Sequence, residues 1–587
     1  MASTDTRPRA ARIFAVVLGL LMVAAIAATA WVGSRALLAE RYLQDARSLA
    51  ASLDSDVLVD PLAASEVLAE LRDNTRSARQ LTSDPVWFLA ERLPWAGPLL
   101  HAVSATATSL DETVAALAPL VEKVAEVGVT SLTPSNGAVD IGAFETIEPA
   151  ASSAATRTRQ AAQVLGSLAG APLPARVQAA VDEASALASS VAETTDGLAR
   201  ATRLLPLVLG AEGPRDYLVL FQNNAEWRSL GGLVGSVALL HTESGAYSLT
   251  GQGSGGGLGA REESPLVLDD EVLSIYDNRP GRFPGNVTQL PDFALAAPLA
   301  REYWRLKYGQ EADGVVAIDP VALSYLLAVT GPILLPTGDR LTSDNLVPLL
   351  LNEVYQRYDD PLLQDEFFEV ASAAVFQAVA SRPLDLRALL AALGRAADEN
   401  RLFIWSAQTD EQAILDGTTL QGSLPVTDSS TTRFGVYVND GTGSKMDYYM
   451  RLQTSAAWCG VTTDGAREAV LRVRVRNDAP PDAADLTWFI TGGGLNGVPP
   501  GVARTVAYVY LPAGSTSLET STSEGSTLRG DTHQGRPVLT WTTDLPPGAS
   551  ATLDVSVGAP LTPELEIVKT ATLAPSSDVS DSLCAAR

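Results

Sequence analysis

The chain has 587 residues, room for roughly two to four domains, and 46% of them are hydrophobic, ample for several cores. A formal net charge of −26 makes the surface repel nucleic acid and anionic lipid head groups, so neither is an expected partner by charge. The two cysteines, Cys459 and Cys584, exclude a cysteine-built metal site within one chain.

Arg7, Arg9 and Arg12 lie in a basic tail, residues 1–12, ahead of an uncharged run at 13–32. About twenty apolar residues span a bilayer core of roughly 30 Å. The positive flank should stay cytoplasmic, which predicts a single-pass plasma-membrane protein with its bulk extracytoplasmic. A cleaved signal peptide competes, because Ala28-Thr29-Ala30 fits a cleavage site, but signal h-regions are shorter, about 7–15 residues. The uncleaved anchor is the favoured reading. Residues 33–210 are Ala-rich and read as an α-helical stalk or bundle. Leu38, Tyr42, Leu49 and Leu53 form one apolar stripe. Ser109 to Glu112 reads as a capping box opening a second stripe through Val114, Leu117, Val121 and Val124, which Gly128 stops. His101 stands alone there, and a structural role is expected for it.

Residues 211–425 read as an α/β core domain organised around 217–250. An apolar run from Tyr217 to Phe221 ends in a polar cluster of Gln222, Asn223, Asn224, Glu226 and Arg228, followed by Gly231-Gly232 and a second apolar run. Short apolar runs bounded by Gly and Asn predict buried strands, with the cluster in a loop at a sheet edge. Such edges commonly hold ligands in α/β folds. The alternative is that Glu226 and Arg228 pair only to fix the loop. Residues 251–257 formally contain G-x-G-x-x-G, but 261–265 interrupt the helix a dinucleotide site needs, so a flexible loop is expected. Residues 314–319, a helix capped by Asp319-Pro320, and residues 332–335 read as a βαβ unit with a parallel strand pair. Helices follow at 345–358, 362–380 and 384–399, and a short strand at 402–405, so a helix-flanked mixed sheet is the economical architecture.

These motifs, NNAEWRSLGG, then DGVVAID-P with TGPILLP, then VNDGTGSKMDYYMR, resemble the bacterial family called domain of unknown function 4012. That resemblance implies no settled activity. The order of features is also similar to the LytR–CpsA–Psr family, which moves glycopolymers from a polyprenyl-pyrophosphate lipid onto peptidoglycan. Arg228-Ser229 stands where that family begins an Arg-Ser-Asp-Thr motif, and residues 341–379 correspond to its arginine-bearing helical stretch. The resemblance implies diphosphate-binding guanidiniums and a divalent cation held by carboxylates. Leu230 replaces the Asp, however, and Arg357 is the one arginine kept at 355–366. The candidate ligand-binding set is therefore Asn223, Asn224, Glu226, Arg228, Arg261 and Arg357, with Asp359 and Asp360 as candidates for a cation. Otherwise no cofactor is expected. No H-E-x-x-H, Walker loop or G-x-S-x-G occurs, and His101, His241 and His533 lie in three different regions.

A Ser/Thr/Gly-rich linker at 422–430 leads into residues 431–587, which read as an immunoglobulin-like β-sandwich. Val473 and Val475 alternate with Arg472, Arg474 and Arg476, the signature of a half-buried antiparallel strand. Cys459 and Cys584 both fall here, on the outer side by the predicted topology, and a disulfide between them is expected. The whole reads as a multidomain envelope protein with two functions in contention. One is non-enzymatic binding or assembly of an envelope glycopolymer or lipid-linked precursor. The other is a divergent phosphotransferase acting on a polyprenyl-pyrophosphate-linked glycan. The missing Asp and arginines favour the first.

Overall fold

The computed structural model describes residues 7–53, 61–134, 137–168, 170–382, 384–461, 466–559, 562, 564–574 and 583–584. It divides into two compact units, residues 1–132 with 140–206, and 133–139 with 207–587.

The first unit is helical: α1 (Arg7–Leu53), α2 (Pro61–Leu81), α3 (Pro85–Ala90), α4 (Gly97–Val127), α5 (Ile141–Gly166) and α6 (Ala175–Val208). The uncharged N-terminal run is the first part of α1, which continues without a break into the bundle. Alanine sets the packing here. Ala39 of α1, Ala78 of α2 and Ala107 of α4 are fully buried against one another, which lets the helix axes approach closely. The expected stripe on α1 holds only in part: Leu49 packs beside Ala46 in the core, whereas Leu38 and Tyr42 face outward and Ala39 is buried in their place. The capping box at Ser109 is a mid-helix segment of α4. Its Asp111 and Glu112 instead pair with Arg79 of α2 at 2.9 and 2.8 Å, and Glu112 also meets Arg157 of α5 at 2.7 Å. Gly128 does end α4, at φ 81°.

In the second unit, β1 (Arg215–Arg228), β2 (Gly231–Glu243), β3 (Ala246–Ser254), β4 (Gly314–Ile318), the short pair β5 (Ile333–Leu334) and β6 (Arg340–Leu341), and β7 (Leu402–Ser406) come first. A five-stranded mixed sheet has the order β3-β2-β1-β4-β7, with β1 and β4 parallel in the register Tyr217↔Gly314. Both faces are covered. Leu218, Leu220, Val315 and Ala317 pack on helix Phe293–Tyr308, while Val219, Phe221 and Val316 pack on helices Pro320–Thr330 and Pro361–Ser381.

Three local expectations fail. The polar cluster is no loop: β1 runs on through it to Arg228, bulged between Phe221 and Gln222 and again between Asn223 and Trp227. The extra residues are absorbed by bulges because β2 stays paired on the far side. The strand–helix–strand at 314–335 is not a parallel pair, since β5 leaves the sheet and pairs antiparallel with β6. The glycine run 251–254 lies in β3, where glycine is needed for close approach: a Cβ on Gly251 would meet the Trp304 ring at 3.2 Å, and one on Gly253 the Tyr308 hydroxyl at 2.8 Å.

The later strands are β8 (Thr431–Asp440), β9 (Met450–Val461), β10 (Arg467–Asn477), β11 (Ala503–Tyr510), β12 (Thr516–Thr522), β13 (Thr527–His533), β14 (Arg536–Leu545), β15 (Ser550–Ala559) and β16 (Glu564–Lys569). They form two sheets, β12-β15-β10-β9 and β13-β14-β11-β8-β16. Inward residues of both, among them Val473, Val475 and Val555 of one and Phe434, Val436 and Trp541 of the other, share one apolar core. β16 enters parallel to β8, the remaining pairings of both sheets being antiparallel. A disulfide joins Cys459 to Cys584, 125 residues apart in sequence.

Candidate functional site

The end of β1 meets the later strands in a dense polar network. The Glu226 carboxylate lies 2.7 Å from Nζ of Lys445, and that ammonium sits 4.3 Å above the Tyr355 ring. Both side chains of this ion pair are about 15% exposed or less. Burial acts against the lysine's charge, but the Glu226 carboxylate overrides it and holds Lys445 above its ordinary value. Tyr355, fully enclosed, is pushed up to about 12. Its hydroxyl accepts from the Asn223 amide at 2.8 Å. Glu226 therefore does not pair with Arg228, contrary to the simpler expectation.

Arg228 turns inward as well. Its Nε donates to the Asn286 side chain at 3.0 Å and its Nη1 to the Trp227 carbonyl at 2.7 Å, with the Asp440 carboxylate at 4.0 Å. Asp440 accepts the backbone N–H groups of Thr442, Gly443 and Ser444, so it orders the turn after β8. Burial raises Asp440 despite Arg228. Asp447 accepts from the Trp227 N–H at 2.8 Å, and burial together with the nearby Asp440 charge drives it well above the ordinary carboxylate range. Ser229 completes the seam through Asn439, bonded to it at 3.1 and 2.9 Å, and through Thr570, whose hydroxyl donates to the Ser229 carbonyl.

Asn224 joins a second knot. Its amide donates to Asp319 at 3.0 Å, and Asp319, fully buried, also caps the helix Pro320–Thr330 through the Ala322 N–H. Arg401 donates to Asp319 at 2.7 Å, to Glu399 at 2.6 Å and to the Thr572 carbonyl at 2.8 Å. Forked guanidinium geometry lets one buried arginine tie a sheet strand, a helix cap and a late backbone segment together.

The remaining sequence candidates lie elsewhere. Arg357 makes a bifurcated pair with Asp339, both contacts 2.9 Å, and stacks near Tyr358 and Phe367. Arg261 is exposed, with its backbone bonded to Arg282. Asp360 caps the helix Pro361–Ser381 and Asp359 is exposed. Among the described residues, no three His, Cys, Asp or Glu side chains gather as metal ligands do. The residues that complete the network, Lys445, Asp440, Asp447, Tyr355, Asp319 and Arg401, were not nominated from sequence. One signal could have found Lys445: it is one of four lysines in a chain with 42 basic residues.

Open space lies away from this seam. In the helical unit a groove of about 400 Å³ is lined by Glu91, His101, Glu112 and Arg157; Glu112 and Arg157 pair with each other, and Glu91 accepts from the Ser104 hydroxyl. In the second unit a cleft of about 310 Å³ is lined by Arg451, Gln453, Arg474, Arg476 and Asp478. Strand register explains its charge. Along the outer face of β10, Arg472 stands opposite Asp554 and pairs with it at 2.7 and 3.0 Å. Arg474 stands between Thr552 and Gln453, and Arg476 between Ser550 and Arg451, so cross-strand carboxylates are missing at both. Among the described residues, Asp478 pairs with both Arg476, at 2.7 Å, and Arg451, at 3.3 Å, while Arg474 donates to the Ser550 hydroxyl. Two arginines directly opposite on neighbouring strands repel, and a bound anion would relieve them.

Residues 212–355 match the family model described as Protein of unknown function (DUF4012). No curated protein and no solved structure matches the chain.

Proposed function

From a chain that carries the DUF4012 family domain, we propose a membrane-tethered envelope protein that binds an anionic glycopolymer without transforming it. The observation that carries the reading is the cleft at Arg451, Arg474 and Arg476, where Arg451 and Arg476 share the Asp478 carboxylate and Arg474 donates to the Ser550 hydroxyl, on a protein of net charge −26. A volume near 310 Å³ suits a charged sugar unit, and the outward face of a β-strand presents guanidiniums at about 7 Å intervals, fit for a repeating anion. The charges at the end of β1 support non-catalytic binding from the other direction. Arg228 and Arg357 are each engaged by internal partners, as is Glu226, which leaves them poorly placed to grip a diphosphate. The phosphotransferase reading would also need a cation, for which Asp359 and Asp360 do not form a cage.

In this reading α1 is the anchor, the arginines ahead of its apolar run stay cytoplasmic, and both units stand outside the plasma membrane. The two late sheets form an immunoglobulin-like sandwich, whose β12-β15-β10-β9 face carries the cleft. The test is calorimetry on the purified full-length protein with polyphosphate, polygalacturonate and neutral dextran. Binding of one polyanion but not dextran, weakened at least tenfold by Arg474→Ala with Arg476→Ala, is expected. Equal affinity of the double variant and the wild type refutes it.

A further inference from the structure

The helical unit exposes a patch of large apolar side chains between α2 and α4. Trp95 is 80% exposed, Leu89 62%, Phe88 55%, Leu93 41% and Val86 37%. Burial of such groups is normally favourable, and a contiguous set left in water marks a docking surface. The segment is built to hold them outward. Asp84 caps α3, accepting from the Val86 and Trp87 N–H groups, and Pro85 sets its first turn. Trp87 alone turns in, 1% exposed, and donates to Glu91 at 3.1 Å. The return is closed by Gly97, whose N–H donates to the Leu93 carbonyl at 2.7 Å. A Cβ there would lie 2.1 Å from the Glu91 carbonyl oxygen, so only glycine permits this turn.

What covers the patch follows from its attachment. Asp84 accepts from the Trp31 indole at 3.3 Å and pairs with Arg35 at 2.9 Å, while Arg35 also donates to the Leu81 and Gln80 carbonyls. Trp31 and Arg35 mark the point on α1 where exposed apolar side chains (Leu20, Met22, Val23 and Ile26, each above 60%) give way to the buried alanines of the bundle. Aromatic and arginine side chains at such a point are characteristic of a membrane–water interface. Arg92, over the Phe88 ring at 4.6 Å, adds a second cation at that level.

We propose that residues 85–95 insert into the outer leaflet of the same bilayer that α1 crosses, as a second, interfacial foothold. The proposal rests on the reading of α1 as a membrane span. Two contacts with one small segment at the exit of α1 would restrain the bundle's tilt, which a single helix leaves free.

The test uses the full-length protein in phosphatidylcholine–phosphatidylglycerol vesicles, labelled with nitrobenzoxadiazole at Trp95→Cys, Leu89→Cys, Ile26→Cys or Ser190→Cys. Ser190 lies on α6 about two turns beyond Glu183, which pairs with Arg47 of α1, so it stands well clear of the bilayer. Lipids carrying a nitroxide near the head group should remove most of the fluorescence at positions 89 and 95 and leave position 190 unchanged. Quenching at 26 without quenching at 89 and 95 overturns the foothold and spares the anchor. Absence of quenching at 26 as well defeats the anchor reading and the foothold with it. Shielding of 89 and 95 from aqueous iodide without lipid quenching would assign the patch to a protein partner or a second copy, and also overturns the proposal.

Discussion

Lys445→Ala should unfold the second unit at markedly lower temperature. The substitution removes the ammonium 2.7 Å from Glu226 and 4.3 Å from the Tyr355 ring, and leaves the carboxylate enclosed beside Asp440 and Asp447. Breaking a buried pair on one side costs about 3–5 kcal/mol, chiefly from the stranded charge. The unit comprises roughly 390 residues, so its unfolding entropy near the midpoint is about 0.8 kcal/mol per kelvin and the expected drop in Tm is about 4–6 °C. Glu226→Gln with Lys445→Met, which leaves no lone charge, should recover most of that drop. Differential scanning calorimetry of the wild type, Glu226→Gln, Lys445→Met and the double variant in one detergent provides the cycle. Additive effects of the two single changes, or a drop below about 1 °C, would refute the view that this pair joins the early and late strands. Loss of polyanion binding in Lys445→Ala with an unchanged Tm would restore the end of β1 as a ligand site.

Asp447→Asn should gain stability relative to the wild type as pH rises. Its folded value lies above the unfolded 3.8, so its stabilising contribution is complete below 3.8 and is lost as pH climbs through the folded value. Melts at pH 4.5 and pH 8 should show the variant's relative Tm increasing, and a pH-independent gap would contradict the burial argument. Gly232→Ala should destabilise by about 3 kcal/mol, the upper end for overpacking, because its Cβ would lie 2.3 Å from the Asn223 backbone across the hairpin. Gly256→Ala, with nothing within 4 Å, should stay within about 0.5 kcal/mol in the same urea titration. Replacing both Cys459 and Cys584 with Ser should cost up to about 5 kcal/mol, the chain-entropy estimate for a closed segment of 125 residues, and dithiothreitol on the wild type should reproduce the loss.

Much of the layout could be read from pattern alone, because burial periodicity is local. The apolar N-terminal helix, the alternation along β10 and the strands at 217–221, 314–318 and 402–405 all carry their signal within a few residues. Partnership is not local, and that is where sequence reasoning failed. Whether β5 would rejoin β4 depended on what β6 offered. Whether Glu226 faced Arg228 depended on Lys445, 219 residues later. Alanine faces on α1 were also illegible, since a hydropathy stripe favours leucine while tight helix packing selects the smaller residue. The arginines of the cleft were visible as one face of a strand. Their lack of cross-strand carboxylates needed the register of β9 and β15.

The backbone that finishes the α/β layer is made long after the layer's own strands. Asn224 and Arg401 reach the Ala571 and Thr572 carbonyls, and β16 zips along β8. A chain made from its N-terminal end would hold Asp319 and its guanidinium partner without those acceptors until some 170 further residues had followed. Pairings so distant in sequence form slowly, and they leave sheet edges and apolar faces bare in the interval. Completion of the α/β layer should thus wait on β16, and premature termination upstream of residue 564 should yield a product that cells clear instead of a working fragment.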